Sequence, residues 1–421
     1  MNYYHRKLYA LLHDSENPET CLSLCSQLKC LEGQLGQINT LDLSLPREIA
    51  DSSDHVNLPS NTPNSDTCEA RHPISGQSQT GINSQLPAIG DLGAIAQESD
   101  VKKVFWWFWR FSPEILANQQ ILANQRADAL LVPAHKIIPD CPIHSHKATV
   151  SALTGAMFPD GESAEKEHPY LLLFTFSPVQ EFIKASRKFL DFWAGSYLLH
   201  YLGAKLCWYI AEKYGPDAVI TPSLWGQEII DALILNKYAD FAEFFNKLPL
   251  NTTPVTRFQN RQSTSLSTAG FPNTITALVP GKAAAEQLGE ELELQLKKEW
   301  QDIAQKVRED IKTKAIQWLK VGENRDKIAE LDFKTPADGR DIQKWQQHGC
   351  WEWNRLWEAQ INNSWEAYWT AVPLGDSNQP LRIGEEENGE FNTDWKQAQE
   401  AIAPSRSNQS TPTLPEELFY K

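Results

Sequence analysis

Residues 170–222 constrain the fold more than any other part of the chain. They read YLLLFTFSPVQEFIKASRKFLDFWAGSYLLHYLGAKLCWYIAEKYGPDAVITP. Residues 170–176 are a short apolar run rich in aromatics, the pattern of a buried strand. Ser177 and Pro178 follow, with Gln180 three residues after the serine. Ser as N-cap, Pro at the first helical position and Gln closing a capping box predict a helix start. Val179, Phe182, Ile183, Leu190 and Trp193 recur at helical spacing as a buried stripe, with Gln180, Glu181, Lys184, Arg187 and Lys188 off it. Gly195 predicts a break over residues 191–196. Residues 197–214 are apolar nearly all round and predict a buried helix, which Gly215 and Pro216 stop. Residues 217–221 predict a second strand, so the unit is strand, long helix, strand.

The chain is long enough for two or three domains. Its apolar fraction of 41% supports real cores. No run of apolar residues is long enough and free enough of charge to span a bilayer, and residues 1–14 lack the pattern of a secretory signal; no membrane role is expected. Seven cysteines, an odd count without any CxxC, argue against a disulfide framework and against a zinc site, and fit reduced thiols in a cytoplasmic protein. A net charge of −15 disfavours a surface that grips phosphate backbones all over, while leaving room for a local basic groove or for basic partners.

Ahead of the organising stretch, residues 2–14 predict a helix ending at His13-Asp14. Imidazole and carboxylate together can hold a divalent metal; equally, a His at a helix C-terminus complements the helix dipole. Residues 51–100 contain no Phe, Trp, Tyr or Lys, and predict a disordered insertion over about 42–100. Residues 101–111 carry FWWFW, read as a buried helix, with Ser112-Pro113-Glu114 starting another. Residues 130–158 read as a Pro-containing loop holding His135, Asp140, His144 and His146, followed by an Ala-rich helix. Spacing alone leaves two readings open: a metal or phosphate-chemistry cluster, or a polar loop whose His cap the helix. Residues 159–169 form a polar linker.

After the second strand, residues 223–272 read as an insertion with one amphipathic helix over about 227–248. Residues 274–280 predict a third strand and residues 281–320 a long helix whose buried face carries Trp300, Ile303, Val307, Ile311 and Ala315. Residues 321–364 read as a second insertion, residues 365–374 as a fourth strand, and residues 375–421 as a disordered tail. The order strand, helix, strand, strand, helix, strand predicts a ferredoxin-like unit. The fold class is therefore α+β, with a helical domain over 1–158 and the sheet domain over 170–374.

SPVQEFI, SRKFLDFWAGSYLL and GPDAVITP, in this order, resemble the first palm domain of the large subunit of type III-B CRISPR effector complexes of the Cmr type, which are RNA-guided and antiviral. KLYALLHD resembles the opening of the same subunit, an HD nuclease fold. Pro133-Ala134, Ile138-Pro139-Asp140, His146 and Ser151-Ala152-Leu153 are similar to the family's loop that faces the HD motif. The resemblance implies that His13, Asp14, Asp140 and His146 approach one another as metal ligands and catalytic residues, with Mn, Ni or Mg as the metal. Cys141, where a His is frequent, and His135-Lys136, where Asp-Thr is common, depart from the pattern and weaken a nuclease.

A palm transfers nucleotidyl groups with carboxylates that hold two metals near the end of its first strand. Here that strand ends Phe174-Thr175-Phe176-Ser177, without a carboxylate. What remains is a helix start after a central strand, with Arg187 and Lys188 about two turns on, which reads either as a phosphate contact or as an ordinary strand–helix junction. Ser177, Gln180, Arg187 and Lys188 are thus the candidate nucleotide-binding residues, with ATP as the nucleotide. The family's cyclase centre is a Gly-Gly-Asp-Asp hairpin in a second palm; this chain has no Gly-Gly and no Asp-Asp. The resemblance implies an assembly and nucleotide-binding component partnered by the other complex subunits, by guide RNA and target RNA through them, and by a separate chain carrying the second palm. The alternative is a metal-dependent HD nuclease acting on single-stranded DNA.

Overall fold

The computed structural model describes residues 1–13, 18–54, 67–71, 78–83, 92–119, 130, 132–134, 141–159, 167–262, 270–320, 353–379 and 381. Helix Tyr3–Leu12 (α1) opens on a capping box, in which the Asn2 side chain accepts from the His5 amide and the His5 ring accepts from the Asn2 amide. Pro18–Ser26 (α2) and Ser44–Asp54 (α3) follow, then a hairpin of Thr67–Arg71 (β1) and Ser78–Asn83 (β2). Helix α3 and the hairpin are ordered elements where disorder was expected over 42–100; residues 55–66, 72–77 and 84–91 of that stretch lie outside the described residues. The segment is polar on average, yet Leu43, Pro46 and Ala50 are buried at helical spacing, which anchors α3.

Val101–Gln119 (α4) is one helix that runs through Pro113, where a new start was expected. Phe105, Trp106, Trp107, Phe108 and Phe111 are buried, so this aromatic cluster is core. Buried Arg110 on the same helix makes a bidentate pair with Asp231, with Nε and one terminal nitrogen donating at 2.6 and 2.7 Å. Ile143–Met157 (α5) lies against α1: Ser151 Oγ donates to the Lys7 carbonyl at 3.1 Å, and a Cβ on Gly155 would meet the Tyr3 hydroxyl at 2.7 Å.

The sheet domain follows as Pro169–Ser177 (β3), Val179–Lys184 (α6), Phe189–Tyr214 (α7), Val219–Thr221 (β4), Glu228–Lys237 (α8), Ala242–Lys247 (α9), Thr274–Pro280 (β5), Gly281–Lys320 (α10), Trp353–Asn362 (α11) and Glu366–Pro373 (β6). The four strands stand in the order β4-β5-β3-β6, every neighbour antiparallel. β3 is therefore central, paired on one side with β5 from Pro169↔Pro280 to Thr175↔Thr274 and on the other with β6 from Tyr170↔Pro373 to Ser177↔Glu366.

Opposed residues of an antiparallel pair share a face. Leu172, Phe174 and Phe176 of β3 share theirs with Ile275, Ala277 and Val279 of β5, and all six are buried. α7 and α10 cover this face. Close approach needs glycine: a Cβ on Gly203 would meet the Pro272 carbonyl oxygen at 2.7 Å, and one on Gly289 would meet the Trp369 indole at 2.3 Å. On the opposite face α5 packs near one end of the sheet. Beyond it lie Thr175, Ser177, Thr276, Thr274, Glu366, Tyr368 and Thr370, all half-buried or exposed.

Three local expectations change. The chain breaks at residues 185–188 rather than 191–196, and Gly195 lies inside α7, with Phe182 packed over it. Leu190 and Trp193 are exposed instead of buried, because Phe182 rather than the start of α7 reaches Trp300 and Trp365. Val307 and Ile311 are likewise exposed: α10 outruns the sheet, so its second half has less to pack on.

Candidate functional site

β3 delivers the first candidate site at its C-terminal end. Ser177 stays in the strand, opposite Glu366, and Pro178 takes the N-cap place of α6 without a side-chain cap bond. The expected capping by Ser177 with Gln180 is not formed, because strand pairing holds the serine. Gln180 is exposed on α6, which has only 6 residues. Arg187 lies exposed in the break, and Lys188 is the exposed N-cap of α7. All four candidate nucleotide-binding residues thus sit between the end of β3 and the start of α7.

The corner is braced from β5. Asn273 donates its side-chain amide to the Phe176 carbonyl at 2.9 Å and to Thr175 Oγ1 at 3.2 Å, and Thr175 and Thr274 hydroxyls meet at 3.2 Å. Strand pairing adds residues that sequence reasoning missed. Glu366 stands beside Ser177, and the Tyr368 hydroxyl donates to its carboxylate. That bond raises the Tyr368 pKa above the usual phenol range. The signal lay in strand register, which needs β6 aligned with β3. Glu366 is one exposed carboxylate; a two-metal centre needs more. The corner offers hydroxyls, the cations Arg187 and Lys188, and the exposed carboxylates of Glu366 on β6 and Glu181 on α6, an arrangement able to hold a phosphate-bearing ligand.

The second candidate site lies where α1 ends. α1 and α5 run antiparallel, with Tyr3 at Gly155 and Lys7 at Ser151, so His13 just past α1 lies toward the end of α5 that carries His144 and His146. The base of the loop before α5 is closed by Ala134 donating to the Cys141 carbonyl and Ile143 donating to the Val132 carbonyl, each at 2.8 Å. His146 Nε2 is 3.5 Å from Asp51 of α3, a carboxylate absent from the sequence-based set. His144 instead packs on Trp225, and burial lowers its pKa. Asp14 and Asp140, with His135, lie outside the described residues. Among the described residues no group of three or more His, Cys, Asp or Glu converges to hold a metal ion. His13 and His146, the described part of the set, do not by themselves complete a metal centre. Cys21, Cys25 and Cys30 are buried; burial pushes the Cys30 thiol up to about 12, which disfavours the thiolate a metal needs. No helix among the described residues is long and apolar enough to cross a membrane.

Residues 171–305, which hold β3, the corner, α7, β4, β5 and part of α10, match the sequence profile of the family described as CRISPR-associated protein Cmr2, N-terminal. The CRISPR system Cmr subunit Cmr2 of Pyrococcus furiosus is 27% identical over 289 residues, covering 59% of this chain and 29% of that protein. The chain thus spans about three tenths of the length of the curated relative it matches. A cryo-EM structure of the type III-B Cmr-beta complex in its apo state contains a chain that superposes with a TM-score of 0.53 at 14% identity, over 97% of this chain and 40% of that one, a likeness of fold. The candidate corner therefore falls within a segment similar to the N-terminal part of Cmr2, and the chain as a whole is similar in fold to part of a Cmr-beta subunit.

Proposed function

We propose that this chain serves as the part of a type III-B Cmr large subunit that precedes the cyclase centre, acting in assembly of the RNA-guided complex and in nucleotide binding. The observation that carries this is the β3 corner: within the Cmr2-like segment the central strand ends on Ser177 with Arg187 and Lys188 nearby, and β3 itself carries no carboxylate. The strand order and all-antiparallel pairing support a ferredoxin-like palm, and the helices of residues 1–158 support an HD-like domain before it. ATP is the nucleotide proposed for Ser177, Gln180, Arg187 and Lys188. The partners are the other complex subunits and guide and target RNA held through them. Co-expression with the remaining Cmr subunits and guide RNA tests assembly. One copy of the chain in the purified particle, seen by native mass spectrometry, is the expected result; particles that form without it under matched expression refute the assembly role.

The antiparallel run of α1 and α5, which puts His13 toward the end of α5 that carries His146, supports a second function, an HD nuclease that cuts single-stranded DNA with Mn, Ni or Mg and uses His13, Asp14, Asp140 and His146. The chain would then degrade such DNA in manganese or nickel, and His13→Ala would stop it. Equal inertness of both proteins removes this function.

A further inference from the structure

Most cations of the sheet domain already face carboxylates. Lys205, Lys213, Lys237 and Arg257 each lie within 3.3 Å of a Glu oxygen. Lys184, Arg187 and Lys188 are exposed and, like Arg261, Lys298 and Lys306, form no ion pair with a described residue; these three differ in standing close together in one segment. The carboxylates in the same segment are Glu181 and Asp191, so cations outnumber them in a chain whose net charge is −15.

The next residues are apolar and face water. Phe189 is 85% exposed, Leu190 70%, Phe192 49% and Trp193 43%. Among the described residues the aromatic cluster of Phe105, Trp106, Trp107, Phe108 and Phe111 is buried by contrast, so this patch asks for an occupant. The indole of the patch, Trp193, is also held in place. Trp193 stacks on Tyr197 with centroids 5.6 Å apart and planes 11° from parallel; Tyr197 meets His200 at 5.5 Å, and His200 meets Phe271 at 5.3 Å. This ladder runs along α7 to the loop before β5 and fixes the Trp193 ring ahead of any ligand, which lowers the entropy lost on stacking.

Unpaired cations beside exposed rings match a polyanion that shows its bases. Phosphates answer the cations and base planes answer the rings. A duplex hides its base planes, and an apolar protein face would leave the three cations without counter-charge. We infer that residues 184–193 form a stacking platform for single-stranded nucleic acid. This goes beyond the ATP site proposed above and shares Arg187 and Lys188 with it, while Phe189, Phe192 and Trp193 belong to the strand alone.

The test is fluorescence anisotropy of labelled oligo(U) and oligo(dT) of about 12 nucleotides, within the span of one such platform, titrated with the full chain at several salt concentrations. Trp193→Ala and Phe192→Ala are surface changes that leave the core intact; thermal melts check this. Trp193→Ala is expected to weaken at least one oligonucleotide about tenfold while leaving ATP affinity unchanged. Arg187→Ala with Lys188→Ala is expected to flatten the logarithmic salt slope by about 1.4, the value for two phosphates on a single strand. The ratio of the two oligonucleotides tells RNA from DNA as the source. Oligonucleotide binding that fails in the wild type, or that is unchanged in every variant, overturns the inference. So does a Trp193→Ala chain that binds oligonucleotides normally but drops out of the co-expressed complex, which would assign the patch to a protein neighbour. Loss of ATP binding alone defeats the nucleotide proposal and leaves the platform standing.

Discussion

Protonating His200 would break two hydrogen bonds at once. Its Nδ1 accepts from the Gly270 and Phe271 amides, each at 2.9 Å, so the proton of the neutral ring sits on Nε2. Burial lowers its pKa below the ordinary 6.5. Between that lowered value and 6.5 the unfolded chain binds more protons than the folded one, so stability rises with pH across this window. The contribution is complete above about 6.5 and is lost as pH falls through the folded value. Urea unfolding at about pH 7.5 and about pH 5 checks this. The wild type should lose stability on acidification, and His200→Gln, whose amide oxygen accepts at either pH, should lose less. Because His200 is also a rung of the ladder behind Trp193, acid should loosen the exposed platform before the rest of the sheet.

At the scale of elements, two glycines decide how near the helices come to the sheet. Gly289 faces Trp369 of β6, where a methyl group would overlap the indole. Gly289→Ala is expected to cost about 1–3 kcal/mol through overpacking, and Trp369→Leu in the same chain should return most of it; urea midpoints of the single and double variants measure the coupling. Element identities were largely legible in sequence. β5 and α10 begin and end where apolar run, Pro and Gly place them, and β3 and β6 lie within a residue or two of expectation. What escaped reading depends on neighbours distant in sequence. Residues 227–248 hold two helices joined by a 3-10 turn at Ala239–Phe241, since Phe241 and Phe245 are drawn to Phe111. Ser177 looked like a cap because its local sequence fits one; pairing with β6, almost two hundred residues on, outweighed that local preference. The same register hid Glu366 and Tyr368, and the packing of α3 hid Asp51.

For the whole molecule, the helical part and the sheet part are joined by a buried ion pair. Lys7 of α1 meets Asp217 at 2.8 Å and donates to the Tyr214 carbonyl at 2.8 Å, with both side chains fully buried. Gly215, at φ +96, leaves room that a Cβ would take from both. Burial lowers the Lys7 pKa despite the pull of Asp217, so the pair is costly to keep and costlier to halve. Lys7→Met should destabilise the chain by about 3–5 kcal/mol by stranding Asp217. Lys7→Met with Asp217→Leu should recover much of that in urea unfolding, a stability test independent of any ligand.

In the proposed function the four-stranded sheet holds a nucleotide without the acidic cage needed to transform it. Equilibrium dialysis of ATP against the full chain with magnesium, followed by chromatography of the recovered nucleotide, tests it most directly. ATP bound and recovered unchanged, with Arg187→Ala/Lys188→Ala binding about tenfold more weakly, a loss of about 1.4 kcal/mol, is the result predicted. A cyclic or linear oligoadenylate made by the chain alone, or an affinity indifferent to both substitutions, would contradict it.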